Sequence, residues 1–156
     1  MSNRAVFTLA TIVMVLFFLA SHLDFYFFAL HFLEAVIYLV ILLLLFYGTD
    51  DWAYAIGFFT PLVWMALNLL GGGLLGGLQA LGQLVTFQPI ESHLRLVNGF
   101  VLLAGLALSY ASGRAFWREV WGTPGARRTL LGAALIVGAY YAAIVFILLR
   151  MVQPNR

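Results

Sequence analysis

Apolar positions run almost unbroken along this chain, and short polar interruptions divide them into five long stretches, about 5–21, 25–47, 52–71, 93–112 and 128–150. Each falls within the roughly 17–25 residues that a helix needs to cross the hydrocarbon core of a bilayer. A sixth stretch, 74–87, has a different pattern. Leu74, Leu75, Leu78, Leu81, Leu84 and Val85 recur at helical spacing, with Gln79 and Gln83 opposite. This predicts a short amphipathic helix lying at the membrane interface, with a re-entrant segment as the alternative. Too few residues remain before Pro89 for another crossing. The expected fold is an all-α integral membrane protein of about five transmembrane helices plus one short interfacial amphipathic helix, a single polytopic domain over 1–156.

The interruptions set the connections. Ser21-His22-Leu23-Asp24 is short enough to force an antiparallel hairpin. Gly48-Thr49-Asp50-Asp51 ends the second stretch, where Thr49 or Asp50 can cap the next helix and the acidic pair suits its positive end. Pro61 falls inside the third stretch and is expected to kink it. Pro89 and Glu91 suit the first turn of the helix over 93–112. Gly113–Thr129 reads as the one clearly aqueous loop. Gly72 and Gly76, and Gly73 and Gly77, form overlapping G-x-x-x-G patterns that allow close helix approach, although a run of three glycines also breaks helices. Gly132 and Gly138, with Ala133, Ala134, Ala139, Ala142 and Ala143, make a small-residue packing surface on the last helix.

Composition agrees with a membrane solvent. Hydrophobic residues make up 64% and charged residues 9% of the chain, against about 45–50% and about 25% in soluble domains. A domain of this size cannot hide so much apolar surface in its own core, so lipid must cover it. Cysteine is absent, which excludes disulfides, thiolate metal sites and Fe–S clusters. All eight basic residues are arginine, as a high-GC genome would favour. The net charge of +2 is small and the arginines are scattered, which argues against a nucleic-acid partner. Arg4 followed by an apolar run imitates a signal peptide. Phe18, Leu19 and His22 around Ala20 make a poor cleavage site, so a retained helix is expected.

Arginine placement orients the chain. Arg114, Arg118, Arg127 and Arg128, with Trp117 and Trp121 among them, read as a cytoplasmic, lipid-headgroup-facing segment. Arg4 falls on the same side, and Arg95, Arg150 and Arg156 on the other. The expectation is an N-terminus inside and a C-terminus outside a bacterial cytoplasmic membrane.

Candidate chemistry concentrates on the second stretch. Asp24, His31, Glu34 and Tyr38 fall within an arc of roughly 80° on a helix, and His31 and Glu34 are i, i+3 neighbours. An ionisable residue at membrane depth costs roughly 2.5–3.5 kcal/mol on insertion scales, so this arc is the leading candidate site. Three readings compete. His31 could be an axial ligand to haem or chlorophyll, with Glu34 and Tyr38 nearby. Glu34 could carry a proton or cation, with Asn68 as a further polar group of the path. The pair could instead be packing glue between helices. His22 and His93 lie near helix ends, at the wrong depth for a second haem ligand from this chain. A di-metal carboxylate site is not expected, because the required Glu-x-x-His motif is missing on both counts of order and depth. Glu91, His93, Arg95 and Asn98 form a second cluster, a capped helix start or a polar mouth on the outer face. A lipid-directed enzyme would have to work through Glu91, His93 and Arg95. Nucleophilic, zinc-hydrolase and P-loop motifs are absent, and Ser92 and His93, being adjacent, do not face each other on a helix.

Small size, few aqueous loops and missing catalytic motifs lead to the expectation of a non-catalytic accessory subunit of a larger membrane assembly, of the respiratory or photosynthetic kind. Its partners would be the lipid bilayer and other membrane subunits. A tetrapyrrole protein and a small proton or ion carrier are the alternatives.

Overall fold

The computed structural model describes residues 2–152, and all its regular elements are helices: α1 (Ser2–Leu23), α2 (Phe28–Phe46), α3 (Asp50–Leu70), α4 (Gly73–Val85), α5 (His93–Glu119) and α6 (Ala126–Val152). All but α4 are long and apolar enough to cross a membrane, which fits a membrane-embedded protein. Their outer faces carry Ile12, Val15, Leu19, Leu103, Leu106, Leu135 and Phe146, all exposed, as helices solvated by lipid require. Arg156, counted above toward the outer side, lies outside the described residues.

Polar contacts tie four helix ends together at one end of the bundle. Asn3 on α1 donates to Asp50 at the start of α3 (2.7 Å). Tyr54 on α3 reaches Glu119 at the end of α5 (3.0 Å). Thr129 in the first turn of α6 lies 3.5 Å from Asp51. The end of α2 closes the group, where Leu45 and Phe46 border the groove beside Asn3 and Arg4. Helix α4, the start of α5 and the α1–α2 turn therefore lie at the opposite end.

The helix boundaries depart from the expected ones where side chains compete for the backbone. Helix α2 begins at Phe28, because the Asp24 carboxylate accepts from the Phe27 N–H (3.2 Å) and holds the turn open. Thr49 occupies the cap position of α3, but its hydroxyl donates back to the Leu44 carbonyl (3.1 Å) and caps nothing. Pro61 is accommodated inside α3, buried against Gly105 of α5. Pro89 and Glu91 precede α5 rather than forming its first turn. Ser92 is its N-cap, accepting from the Arg95 N–H (3.4 Å).

The largest correction concerns Gly113–Thr129. It is not a loop: α5 continues to Glu119, α6 begins at Ala126, and only a short connection separates them. Gly113 is a contact glycine rather than a breaker. A Cβ there would come 2.9 Å from the Phe58 ring of α3. Gly105, Ser109 and Gly113 recur every fourth residue and bring α5 close to α3, with the Ser109 hydroxyl bonded to the Phe58 carbonyl (3.0 Å).

The short helix α4 exists as expected, entered through Gly72 at φ +76°, a left-handed turn position that favours glycine. It crosses the first turns of α5 with Gly77 on Gly99, where a Cβ on Gly99 would sit 2.7 Å from the Gly77 carbonyl oxygen. Its other face exposes Leu75, Leu78, Leu84 and Val85. On α6, Gly132 receives the Trp52 ring, while Gly138 has nothing within 4 Å.

Candidate functional site

The polar arc of α2 faces the bundle interior. His31 Nδ1 and Glu34 Oε2 are 2.9 Å apart, and His31 Nε2 lies 3.7 Å from the Asp24 carboxylate, contributed by the α1–α2 turn rather than by α2 itself. The second Glu34 oxygen accepts from Trp64 Nε1 of α3 (3.1 Å). Glu34 is 8% exposed, so both carboxylate oxygens are bonded and nearly sealed. His31 of α2 and Trp64 of α3 therefore converge on one carboxylate about two helical turns inside the bundle, with Asp24 of the turn behind His31.

This group forms the floor of a cleft of about 470 Å³ between α2, α3 and α6, with Asn98 of α5 also on its wall. Leu30, Leu67, Ile144, Val145 and Leu148 supply apolar walls, while His31, Glu34, Trp64, Asn68 and Tyr141 supply polar ones. Gly71 and Gly73, at the α3–α4 turn, line its rim. Asn68 turns its amide to the Trp64 carbonyl (3.0 Å). From α6, Tyr140 donates its hydroxyl to the Leu33 carbonyl of α2, bridging the two helices.

Tyr38 does not line the cleft. It is fully buried one turn deeper, stacked on Phe17 of α1 at 5.6 Å between centroids. Its hydroxyl and that of Tyr141 approach each other, and neither completes a hydrogen bond of normal geometry.

His31 Nδ1 is held by Glu34, which fixes the ring, and Nε2 points toward the Asp24 carboxylate of the α1–α2 turn. His22 is turned to the Phe18 carbonyl (2.8 Å). Among the described residues, no group of three or more His, Cys, Asp or Glu side chains is arranged to hold a metal ion.

The second expected cluster takes the form of a capped helix start, with Ser92 as the N-cap of α5. Glu91 and Arg95 form an exposed pair at 3.9 Å, His93 begins α5 in an exposed position, and Asn98 alone turns into the cleft. Arg95 also lies along Gly76 of α4. The expected headgroup segment divides between elements: Arg114, Trp117 and Arg118 ride the last turns of α5, Trp121 lies in the connection, and Arg127 and Arg128 open α6. Trp117 and Trp121 stack at 4.8 Å.

Trp64, Tyr140 and Tyr141 escaped the sequence reading. Each sits in an apolar run at a spacing that any core aromatic shares, and only the fold aims them at Glu34. Compared with protein-family models, with curated proteins and with solved structures, the chain matches none.

Proposed function

We propose that this chain is a small membrane protein that takes up and releases protons, or exchanges a small cation, at Glu34. One observation carries the reading: a buried carboxylate, flanked by His31 and Trp64, lines a cleft at the end of the bundle opposite the arginines. Intramembrane carboxylate–histidine chains are characteristic of proton relays. Asp24, His31 and Glu34 supply the necessary order. A proton arriving from the aqueous side is taken up at the Asp24 carboxylate and passes to Nε2 when the 3.7 Å gap shortens to a hydrogen bond. A second proton leaves from Nδ1 to Glu34, after which the ring resets by returning to its first tautomer.

The arginine distribution supports an orientation for this exchange. Arg4, Arg114, Arg118, Arg127 and Arg128 belong to the end opposite the cleft, which the positive-inside bias assigns to the cytoplasm. The cleft would then open outside a bacterial cytoplasmic membrane, with the stacked Trp117 and Trp121 at the inner headgroup level, next to anionic lipid held by the arginines.

The test is infrared titration of the protein in liposomes. Glu34 should give a carboxyl C=O band that appears and disappears with pH and is missing in Glu34→Gln. A band invariant across the accessible pH range would overturn the reading.

An accessory-subunit role is the second reading, supported by α6. That helix packs mainly on α3 and leaves Gly138, Ala139 and Ala142 exposed, a surface that suits close approach by a helix of another chain. Co-purification from native membranes in a fixed ratio with other chains supports it, and a protein that runs alone sinks it.

A further inference from the structure

Five buried side-chain atoms among the described residues have no hydrogen-bond partner: Tyr38 Oη, Tyr141 Oη, Thr60 Oγ1, Ser112 Oγ and Asp50 Oδ1. Their positions are not scattered. Two contacts fix the antiparallel register of α2 and α3, Glu34 with Trp64 and Ile41 beside Gly57. That register sets Tyr38 level with Thr60, one turn beyond Glu34, and Tyr141 reaches the same level from α6. One turn farther, the Ser112 hydroxyl of α5 fills the place where a Gly57 side chain would be, 2.7 Å from an ideal Cβ. One turn beyond Gly57, Tyr54 lies within reach of both Asn3 and Glu119. Asp50 follows, with its other oxygen bonded to Asn3.

All five therefore fall at successive levels of α3 between the Glu34 cleft and the polar cluster at the arginine-rich end. Asp50, Tyr54, Gly57, Thr60 and Trp64 step along one side of α3 by three or four residues at a time. The line from Trp64 to Asp50 covers 14 residues, about 21 Å of helix. A buried polar atom without a partner is costly, and proteins meet the cost with ordered water. Successive levels are one helical turn apart, about 5.4 Å. Two hydrogen bonds of about 2.8 Å through a single water span that separation.

We propose that this line is a hydrated file that conducts protons between Glu34 and the Asp50–Glu119 cluster, making the chain a route across the membrane rather than a one-sided proton acceptor. The inference rests on Glu34 exchanging protons with the cleft. The groups facing Glu34 are His31 and Asp24 from its own side, Trp64 from α3, and Tyr140 and Tyr141 from α6. At the far end the titratable groups are Asp50, Asp51, Tyr54 and Glu119. Each transfer moves one proton along a hydrogen bond and leaves hydroxyls and waters unchanged after they reorient. The net event is one positive charge carried across, so it needs a compensating ion.

The experiment uses the full chain in liposomes with an entrapped pH dye, an imposed pH gradient, and valinomycin with K⁺ for charge balance. The wild type should dissipate the gradient. Thr60→Val and Ser112→Ala, which remove one hydroxyl each, should slow it about tenfold, equivalent to ~1.4 kcal/mol on the barrier. Thr60→Ser, which keeps the hydroxyl, should conduct like the wild type and so separates the file from simple packing. Wild-type vesicles no leakier than empty ones, or Thr60→Val and Ser112→Ala as fast as wild type, would overturn the file. In either case a Glu34 carboxyl band that still titrates leaves the one-sided exchange standing, whereas an invariant band removes both.

Discussion

Glu34 is tolerated inside an apolar bundle because neither of its oxygens is left bare. His31 holds one and the Trp64 indole holds the other. Removing the indole N–H while keeping an aromatic ring isolates that contribution. Trp64→Phe should cost about 1–3 kcal/mol, the penalty of stranding a buried acceptor, read as a lower unfolding temperature in detergent. The carboxyl band of Glu34 should shift in the same variant. The sequence revealed His31 and Glu34 because charge in an apolar run stands out. It hid Trp64 and Tyr141 because an aromatic residue in a membrane helix looks the same whether it packs or donates. Tyr38 illustrates the converse: helical spacing put it on the right arc, yet one additional turn of depth removed it from the cleft wall.

At the scale of elements, small residues decide what touches what. The apolar pattern located all five crossings and the short helix, because length and hydropathy are local properties. It misread Gly113 as a stop, since a contact glycine and a breaking glycine are spelled alike, and the Phe58 ring that explains Gly113 lies on another helix. The α4–α5 crossing offers a clean test. Gly99→Ala places a methyl 2.7 Å from the Gly77 carbonyl oxygen, a backbone atom that cannot swing aside. The two helices must separate, at about 1–3 kcal/mol for overpacking. Gly82→Ala, on the same short helix with nothing within 4 Å, should instead gain up to about 1 kcal/mol in helix propensity. Thermal unfolding of the two variants, side by side, should move in opposite directions.

For the whole molecule, the two ends differ in kind. One gathers five arginines, the stacked tryptophans and the Asp50–Tyr54–Glu119 group, and the other holds α4 and the cleft. The chain contains no cysteine, so single probes report without background. Gln88→Cys, between α4 and α5, should react with a membrane-impermeant maleimide on intact cells. Gly122→Cys, between α5 and α6, should react only after the membrane is opened. The reverse pattern would turn the molecule over and make the cleft face the cytoplasm. Charge bias in the sequence pointed to this arrangement. It could not reveal that the arginines ride on helix ends rather than in a loop, because that depended on Gly113.

Because α3 meets α2 through Trp64 and α5 through Gly57, its length is as constrained as its composition. A single residue inserted between those two positions would rotate everything beyond it by about 100°, swinging Trp64 away from Glu34 and breaking the line of hydroxyls at Thr60. Lineages descended from this protein are thus free to exchange lipid-facing letters and to lengthen the connections at 86–92 and 120–125, while α3 should lose or gain no residue between Asp50 and Asn68. Its evolution should be written in substitutions, with insertions and deletions kept to the turns.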